Sequence, residues 1–499
     1  MKKERKGTGT RGTLAGTLLV LLLCCIPGKT GAQTLSLDSC RALALRNNKT
    51  LAIARATKEK ALNTRKAART NYFPKIELTA GYLHTGDEIS LLNKDQKSTL
   101  GSLGTSALSD FSAQASQLLA AYPDLAPLAQ AVQTKGTQLA AAGNALGQSF
   151  ADKFRTDTRN ITAGAILLTQ PLYMGGKIMA YARITKHSEA LADQQLRSDT
   201  QQLLLDVDKA YWQVVSLAHK RRLAVSYRDM LARLDSDVTR MIAEGVATRA
   251  NGLTVGVKLN EADMTLTKVE DGLSLSRMLL CQLCGLPLDG CPALEGEEAG
   301  SVGGGGEDVR PDAETALANR PEISQLETAQ LIYGEKVKIE RSAFLPQLAL
   351  TGGYMISNPN VFNGFEKKFR GTWGVGVMLK VPVWHWGEGR YKVRAAKCDA
   401  LIASLRADDA REKVELQVNQ EAFRVNEANR KYALSLKNMD KAEENLRTAQ
   451  AGFREGVIPT SDLLAAQTAW LQAHSDKIDA QIDTKLARAA YDKALGVLE

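Results

Sequence analysis

Slid against itself, this 499-residue chain matches in two registers, and that internal repeat limits its fold more than any composition figure does. At an offset of 272, Ala44, Leu45 and Asn47 fall on Ala316, Leu317 and Asn319, and Lys66 and Arg69 on Lys338 and Arg341. In the same register Pro74, Leu78, Thr79, Gly81 and Tyr82 meet Pro346, Leu350, Thr351, Gly353 and Tyr354. At an offset of 211, Pro171 and Gly176 meet Pro382 and Gly387, and Glu244-Gly245-Val246 meets Glu455-Gly456-Val457. Leu253, Ala262, Arg277 and Gly285 then meet Leu464, Ala473, Arg488 and Gly496. The offsets differ by 61, so the first copy carries 61 additional residues between Tyr82 and Asn160.

Each copy reads as helix, strand, long loop or turn, strand, then a long helical hairpin. Residues 75–84 alternate, with Ile76, Leu78, Ala80 and Tyr82 on one face, and 347–356 do likewise through Leu348, Leu350, Tyr354 and Ile356. Residues 372–382 set Trp373, Val375, Val377, Leu379 and Val381 against Gly374, Gly376 and Lys380, while 160–171 form a less regular fourth strand. Each has about the ten residues a tilted strand needs to cross a bilayer. Pro171 and Pro382 are expected to end the second strand of each copy, since proline donates nothing to a ladder.

Residues 178–242 then run without Pro or Gly, a helix of roughly 98 Å at about 1.5 Å per residue. Residues 389–454 match it apart from Gly389 at the start and Gly452, and the return arms 249–285 and 460–496 have 37 residues each. Stripes such as Leu203, Val207, Tyr211 and Val214 cannot be buried by one helix alone and call for coiled-coil partners.

The first thirty-two residues have a basic start and an apolar run at 14–26, too short for a membrane span, followed by Thr30-Gly31-Ala32, so Gln33 is the expected mature N-terminus. Lipidation at Cys24 or Cys25 is the weaker alternative, because Leu23 and Cys24 precede them where a small residue is usual. No later stretch reaches 18 apolar residues, so a mature chain that enters a membrane does so as strands. The net charge is +9, but 1–32 hold six basic residues and one acid, which leaves +4 for the rest and no nucleic-acid footprint.

The expected organisation is therefore a signal peptide at 1–32 and a first repeat at 33–287, with strands at 75–84 and 160–171, an outer loop at 85–159 and a helical hairpin at 177–285. A linker at 288–312 follows, read as flexible from its four consecutive glycines, Gly303 to Gly306, and their acidic neighbours. The second repeat is 313–499, with strands at 347–356 and 372–382 and a hairpin at 388–496.

Cys281, Cys284 and Cys291 have metal-like spacing but no nearby His as fourth ligand, so packing is the expected role, with a Cys284–Cys291 disulfide left open. His84, His187, His219, His385 and His474 are scattered, with no His-Glu-x-x-His and no nucleophile elbow, so neither an enzyme nor a cofactor is expected.

Four strands cannot close a membrane barrel, and an open edge in lipid leaves unpaired backbone groups. The chain must share a barrel with copies of itself or stay outside the membrane as a periplasmic scaffold or adhesin. Three copies supply twelve strands, although geometry alone does not choose three over two or four.

The order of Asn319-Arg320-Pro321-Glu322-Ile323, Phe344-Leu345-Pro346 before a strand, and Pro171-Leu172-Tyr173-Met174-Gly175-Gly176 and Pro382-Val383-Trp384-His385-Trp386-Gly387 after one resembles the TolC-like outer-membrane efflux proteins over nearly the whole mature chain. The resemblance implies an α+β, mainly α fold, in which a homotrimer forms a 12-stranded transmembrane β-barrel continued by a periplasmic α-helical coiled-coil barrel. It implies a passive outer-membrane duct for efflux or type I secretion, in contact with outer-membrane lipid, a periplasmic adaptor (membrane fusion) protein and an inner-membrane transporter. By the same resemblance Gly245-Val246 and Gly456-Val457 are the adaptor-docking tip, whereas any helical hairpin also favours Gly at its turn. Asp462 and its repeat mate Asn251 match positions lining a closed aperture; Ala465 stands where a second acid is expected, and Asp462 is equally a candidate helix cap.

Overall fold

The computed structural model of the chain describes residues 34–86, 92–121, 126–153, 159–298, 303–360 and 366–498. The leader expected at 1–32, with Cys24 and Cys25, lies outside them. Contacts divide the chain into a strand-bearing unit, 65–184 with 335–397, and a helical unit formed by the residues up to 64, 185–334 and 398–499.

In the strand-bearing unit, β1 (Lys75–His84), β2 (Asn160–Met174), β3 (Gln347–Asn358) and β4 (Arg370–Lys380) form one antiparallel sheet in chain order. Leu78 stands opposite Ile166, Ile166 opposite Tyr354, and Tyr354 opposite Trp373. Directly opposed residues share a face, and the side-chain period is two. One face therefore gathers Ile76, Leu78, Ile166, Leu168, Leu350, Tyr354, Trp373, Val375, Val377 and Leu379. The other carries Glu77, Thr79, Thr351 and Lys380 among glycines, with Leu167 and Met378. β1 and β4 each have a strand neighbour on one side only among the described residues.

Several expected boundaries change. β2 does not stop at Pro171 but continues to Met174, because the register shifts between Pro171 and Tyr173 and the bulge accommodates a residue without an N–H. β3 runs two residues past 356, and β4 occupies Arg370–Lys380 rather than 372–382, ending before the residue that Pro382 restricts.

The outer loop expected at 85–159 is largely helical: α3 (Lys94–Gly101), α4 (Leu103–Ala121) and α5 (Ala126–Lys153). Asn93 and Gln96 form a reciprocal capping box on α3. Gly136, Ala140, Gly143 and Gly147 recur at four-three-four spacing on α5, which lets backbones touch. A Cβ on Gly104 would lie 2.1 Å from the Ala140 carbonyl oxygen, and one on Gly147 1.8 Å from that of Leu100. Asn144 Oδ1 accepts from the backbone N–H groups of Gly104 and Thr105 at 2.8 and 3.0 Å.

The remaining helices are α1 (Leu37–Asn47), α2 (Lys49–Arg69), α6 (Lys177–Ala243), α7 (Arg249–Cys284), α8 (Glu295–Glu298), α9 (Ala313–Asn319), α10 (Pro321–Ser342), α11 (Glu388–Arg454) and α12 (Thr460–Ala494). α6 and α11 have 67 residues each. None of the described helices is long and apolar enough to cross a membrane. In the helical unit Val207, Tyr211, Val214 and Val215 pack with Leu280, Cys284, Leu294 and Cys40, while Val414, Val418 and Val425 pack with Ile323, Tyr491 and Ala494. Arg41 grips the buried Asp208 carboxylate through two hydrogen bonds of 2.8 and 2.6 Å, tying α1 to α6.

The repeat is visible in atomic detail. α7 ends on Gly285 (φ +69°) against Asn47, and α12 is followed by Gly496 (φ +76°) against Asn319; both pairs are repeat mates.

The expectation of a flexible linker at 288–312 is corrected over its described residues. Leu294 is fully buried and bridges Leu35, and His219 Nε2 lies 2.9 Å from the Gly296 carbonyl oxygen. Asn426 pairs with both backbone groups of Val309, at 2.8 and 2.9 Å. Gly304 lies against the Tyr432 ring, where a Cβ would come within 2.7 Å, so this glycine serves close approach.

Candidate functional site

The hairpin turns follow local rules. After α6, Gly245 adopts φ +78°, its N–H donates to the Ile242 carbonyl at 3.1 Å, and the Val246 N–H donates to that of Met241 at 2.9 Å. After α11, Gly456 (φ +71°) donates to Phe453 at 3.1 Å and Val457 to Gly452 at 2.8 Å. Both are left-handed glycine stops that consume the last helical carbonyls and throw the next residue outward. Val246 is 69% exposed and Val457 76%.

The two hairpins share a core near these turns. Leu231, Leu234 and Val238 of α6 and Val255 of α7 pack with Leu446 and Ala449 of α11 and Leu463 and Leu464 of α12. Asn251 and Asp462 sit in the first turns of α7 and α12. Thr248 caps α7 by accepting from the Asn251 N–H at 3.4 Å. Asp462 does not cap α12: the cap position is Pro459, and the exposed Asp462 carboxylate accepts from the Ser461 hydroxyl at 3.2 Å. Beside this core lies a cavity of about 790 Å³ lined by Met230, Arg233, Asp237, Phe453, Arg454 and Trp470. Sequence reading missed it; the available signal was the clustering of long polar and aromatic side chains one helical turn apart on α6 and α11. Gln467, also in its lining, is buried, and its Oε1 has no partner among the described residues.

The second surface is the apolar sheet face, where Leu78 is 75% and Trp373 77% exposed. A contiguous apolar face of this kind marks a protein or membrane interaction surface. Just beyond β4, Val383, Trp384 and Trp386 are also exposed, with the two indoles edge to face at 5.6 Å, the amphipathic aromatic arrangement found at membrane interfaces. The described residues hold no group of three or more His, Cys, Asp or Glu suited to a metal ion.

Residues 41–286 and 313–497 match the outer membrane efflux protein family, which accounts for most of the chain in two segments. The chain belongs to that family. It is an outer-membrane protein with a large periplasmic portion. The alkaline protease secretion protein AprF of Pseudomonas aeruginosa is 25% identical over 375 residues, 71% of this chain and 75% of AprF. The nodulation protein T of Rhizobium leguminosarum bv. trifolii is 22% identical, over 68% of this chain and 72% of its own.

Among solved structures, the fold is similar to the Campylobacter jejuni CmeC outer membrane channel, with a TM-score of 0.70 at 14% identity, covering 93% of this chain and 86% of that one. It is also similar to the open state of the Neisseria gonorrhoeae MtrE outer membrane channel, with a TM-score of 0.64 at 16% identity, covering 93% and 89%. These likenesses establish the efflux-protein fold, mainly helical with a sheet, for this chain.

Proposed function

We propose that three copies of this efflux-family chain join their sheets into a 12-stranded barrel and act as a passive duct from periplasm to exterior. The observation that carries this is the sheet: four bilayer-length strands with one continuous apolar face and two open edges. Those edges are costly in lipid unless neighbouring copies pair with them. A periplasmic scaffold or adhesin has no use for such a face. Residues 1–32 are then the export leader, and 33–287 and 313–499 the two repeats around the 288–312 connection.

Gly245-Val246 and Gly456-Val457 are proposed as the docking tip for a periplasmic adaptor protein that couples the duct to an inner-membrane transporter. The support is their exposure at left-handed turns that need no side-chain space. Asp462, with its repeat mate Asn251, is proposed to line the closed aperture. An Asp from each copy would gather negative charge in a narrow opening. The duct makes and breaks no bond, and the transporter supplies the energy. The likeness to AprF makes secreted protein a cargo class to test beside small molecules.

Gly456→Pro is expected to abolish export in complemented deletion cells while the trimer still assembles on native gels. Export that survives changes at both tip glycines removes the docking assignment. A purified trimer that never conducts in a planar bilayer, even with its tip helices mutated apart, removes the duct.

A further inference from the structure

Where β4 gives way to α11, the two repeats keep the same turn but differ in residue. Trp386 holds φ +49°, a left-handed conformation that bulky side chains avoid, and its repeat mate Gly175 holds φ +62°. The second copy therefore places a tryptophan where the backbone favours glycine, and the indole it presents is 86% exposed. Trp384 stands at the position of Tyr173, and Arg390, in the first turn of α11, at that of Met179.

Beside this turn the start of α11 and the end of α10 enclose a pocket of about 380 Å³, lined by Arg341, Phe344, Trp384, His385, Glu388 and Arg390. His385 meets the Phe344 ring edge to face at 6.0 Å. A Cβ on Gly389 would lie 2.8 Å from that ring, so glycine lets α11 approach it. Among the described residues neither the Arg341 nor the Arg390 guanidinium has a hydrogen-bond or ion-pair partner. The lining acid does not serve them: Glu388 is held by Lys392 at 2.6 Å.

We propose that this pocket binds the phosphate of an anionic glycerophospholipid in the leaflet that faces the periplasm, an inference that rests on the barrel reading above. In that reading the long hairpins leave the sheet at this end, so the pocket lies at the periplasmic boundary of the membrane. Guanidinium forks match phosphate oxygens and stay charged throughout the working pH range. Val383 and the Trp384–Trp386 pair adjoin the pocket as exposed apolar surface. A phospholipid's glycerol and acyl chains cover such surface and a free anion does not, while indoles settle at headgroup level. The first repeat has Arg69 in place of Arg341 but Met179 and Gly175 in place of Arg390 and Trp386, so each chain has one such site.

The test uses full-length protein extracted from outer membranes, with native mass spectrometry in detergent after adding phosphatidylglycerol. One retained phosphatidylglycerol per chain is expected. Phosphatidylcholine, with the same phosphate but no net charge, is retained less, and excess inorganic phosphate does not displace the lipid. Arg390→Gln is expected to weaken retention roughly tenfold, the loss of one charge-assisted pair, whereas Arg69→Gln leaves it unchanged. Trp386→Gly restores the residue of the first repeat and relieves the left-handed strain. It is expected to weaken retention yet melt no earlier than the wild type, the opposite of what a side chain kept for stability would do. Equal retention of the two lipids, displacement by inorganic phosphate, or unaltered retention in the Arg341→Gln, Arg390→Gln double variant overturns the site. The wild-type lipid comparison decides it even where a variant fails to fold. A wild-type chain that conducts but keeps no phosphatidylglycerol removes this site and leaves the duct; a chain that carbonate strips from membranes removes both.

Discussion

Individual residues in this chain are constrained by backbone approach more than by chemistry. At Gly285 a Cβ would lie 2.6 Å from Asn47 Cβ in a left-handed conformation, and at Gly496 one would lie 2.8 Å from the Asn319 carbonyl carbon. Gly245 is equally left-handed but has nothing within 4 Å. Gly285→Ala or Gly496→Ala is therefore expected to cost about 2–4 kcal/mol, strain plus collision, against about 1–2 kcal/mol for Gly245→Ala. Thermal melts of the detergent-extracted protein measure the difference; equal losses at all three positions contradict the packing.

His219 makes the helical unit sensitive to pH. Burial, then Arg222 and Lys477, hold its imidazole below the usual histidine range against the opposing pull of Glu297 and its bond to Gly296. Arg222 donates to Nδ1 at 3.1 Å, so Nε2–H donates to the Gly296 carbonyl. The folded state binds this proton less readily than the unfolded chain. Its stabilisation is present above the unfolded value near 6.5 and declines as pH falls through it. Protection factors at 293–297, which divide out the intrinsic slowing of amide exchange in acid, are expected to fall on acidification from about pH 7.5 to 5.5, and His219→Gln to flatten that response.

Among elements, legibility followed periodicity. Strands showed themselves where Ile76, Leu78 and Tyr82 or Trp373, Val375 and Val377 alternate, and the long helices where Pro and Gly are absent. The tip turns were legible because a lone Gly between helices needs positive φ. The insertion was not: few charges and scattered glycines read as loop, although Ala, Leu and Gln favour helix and the glycines at 136, 143 and 147 share one face. Gly304 misled for a related reason, since the Tyr432 ring that demands it lies far away in sequence. The end of β2 was misplaced because a bulge absorbs Pro171.

Gly147→Val drives α5 off α3 at a backbone contact and is expected to destabilise the helical insertion by about 1–3 kcal/mol. Protease added to whole cells should then cut within 94–153 while the proposed barrel keeps its heat-modifiable migration. An unchanged cleavage pattern contradicts the packing of α3 on α5.

At the scale of the whole molecule, everything turns on which sheet face meets lipid. Register puts Leu78, Ile166, Tyr354 and Trp373 in one row across all four strands, with Thr79 on the opposite face one residue away. In a shared barrel the first face contacts hydrocarbon and the second the aqueous lumen. An arginine on a lipid-facing strand costs about 2–4 kcal/mol at mid-membrane and close to nothing in a wet lumen. Each copy of a symmetric trimer carries the change, so the assembled barrel bears three times that cost. Leu78→Arg is accordingly expected to reduce outer-membrane trimer severely and leave chain in the periplasm, whereas Thr79→Arg assembles normally and alters conductance. Membrane fractionation and single-channel recording of the two variants separate the faces. If Thr79→Arg blocks assembly and Leu78→Arg does not, the sheet is inverted relative to lipid; if neither does, the sheet does not enter the membrane and the shared barrel fails with it.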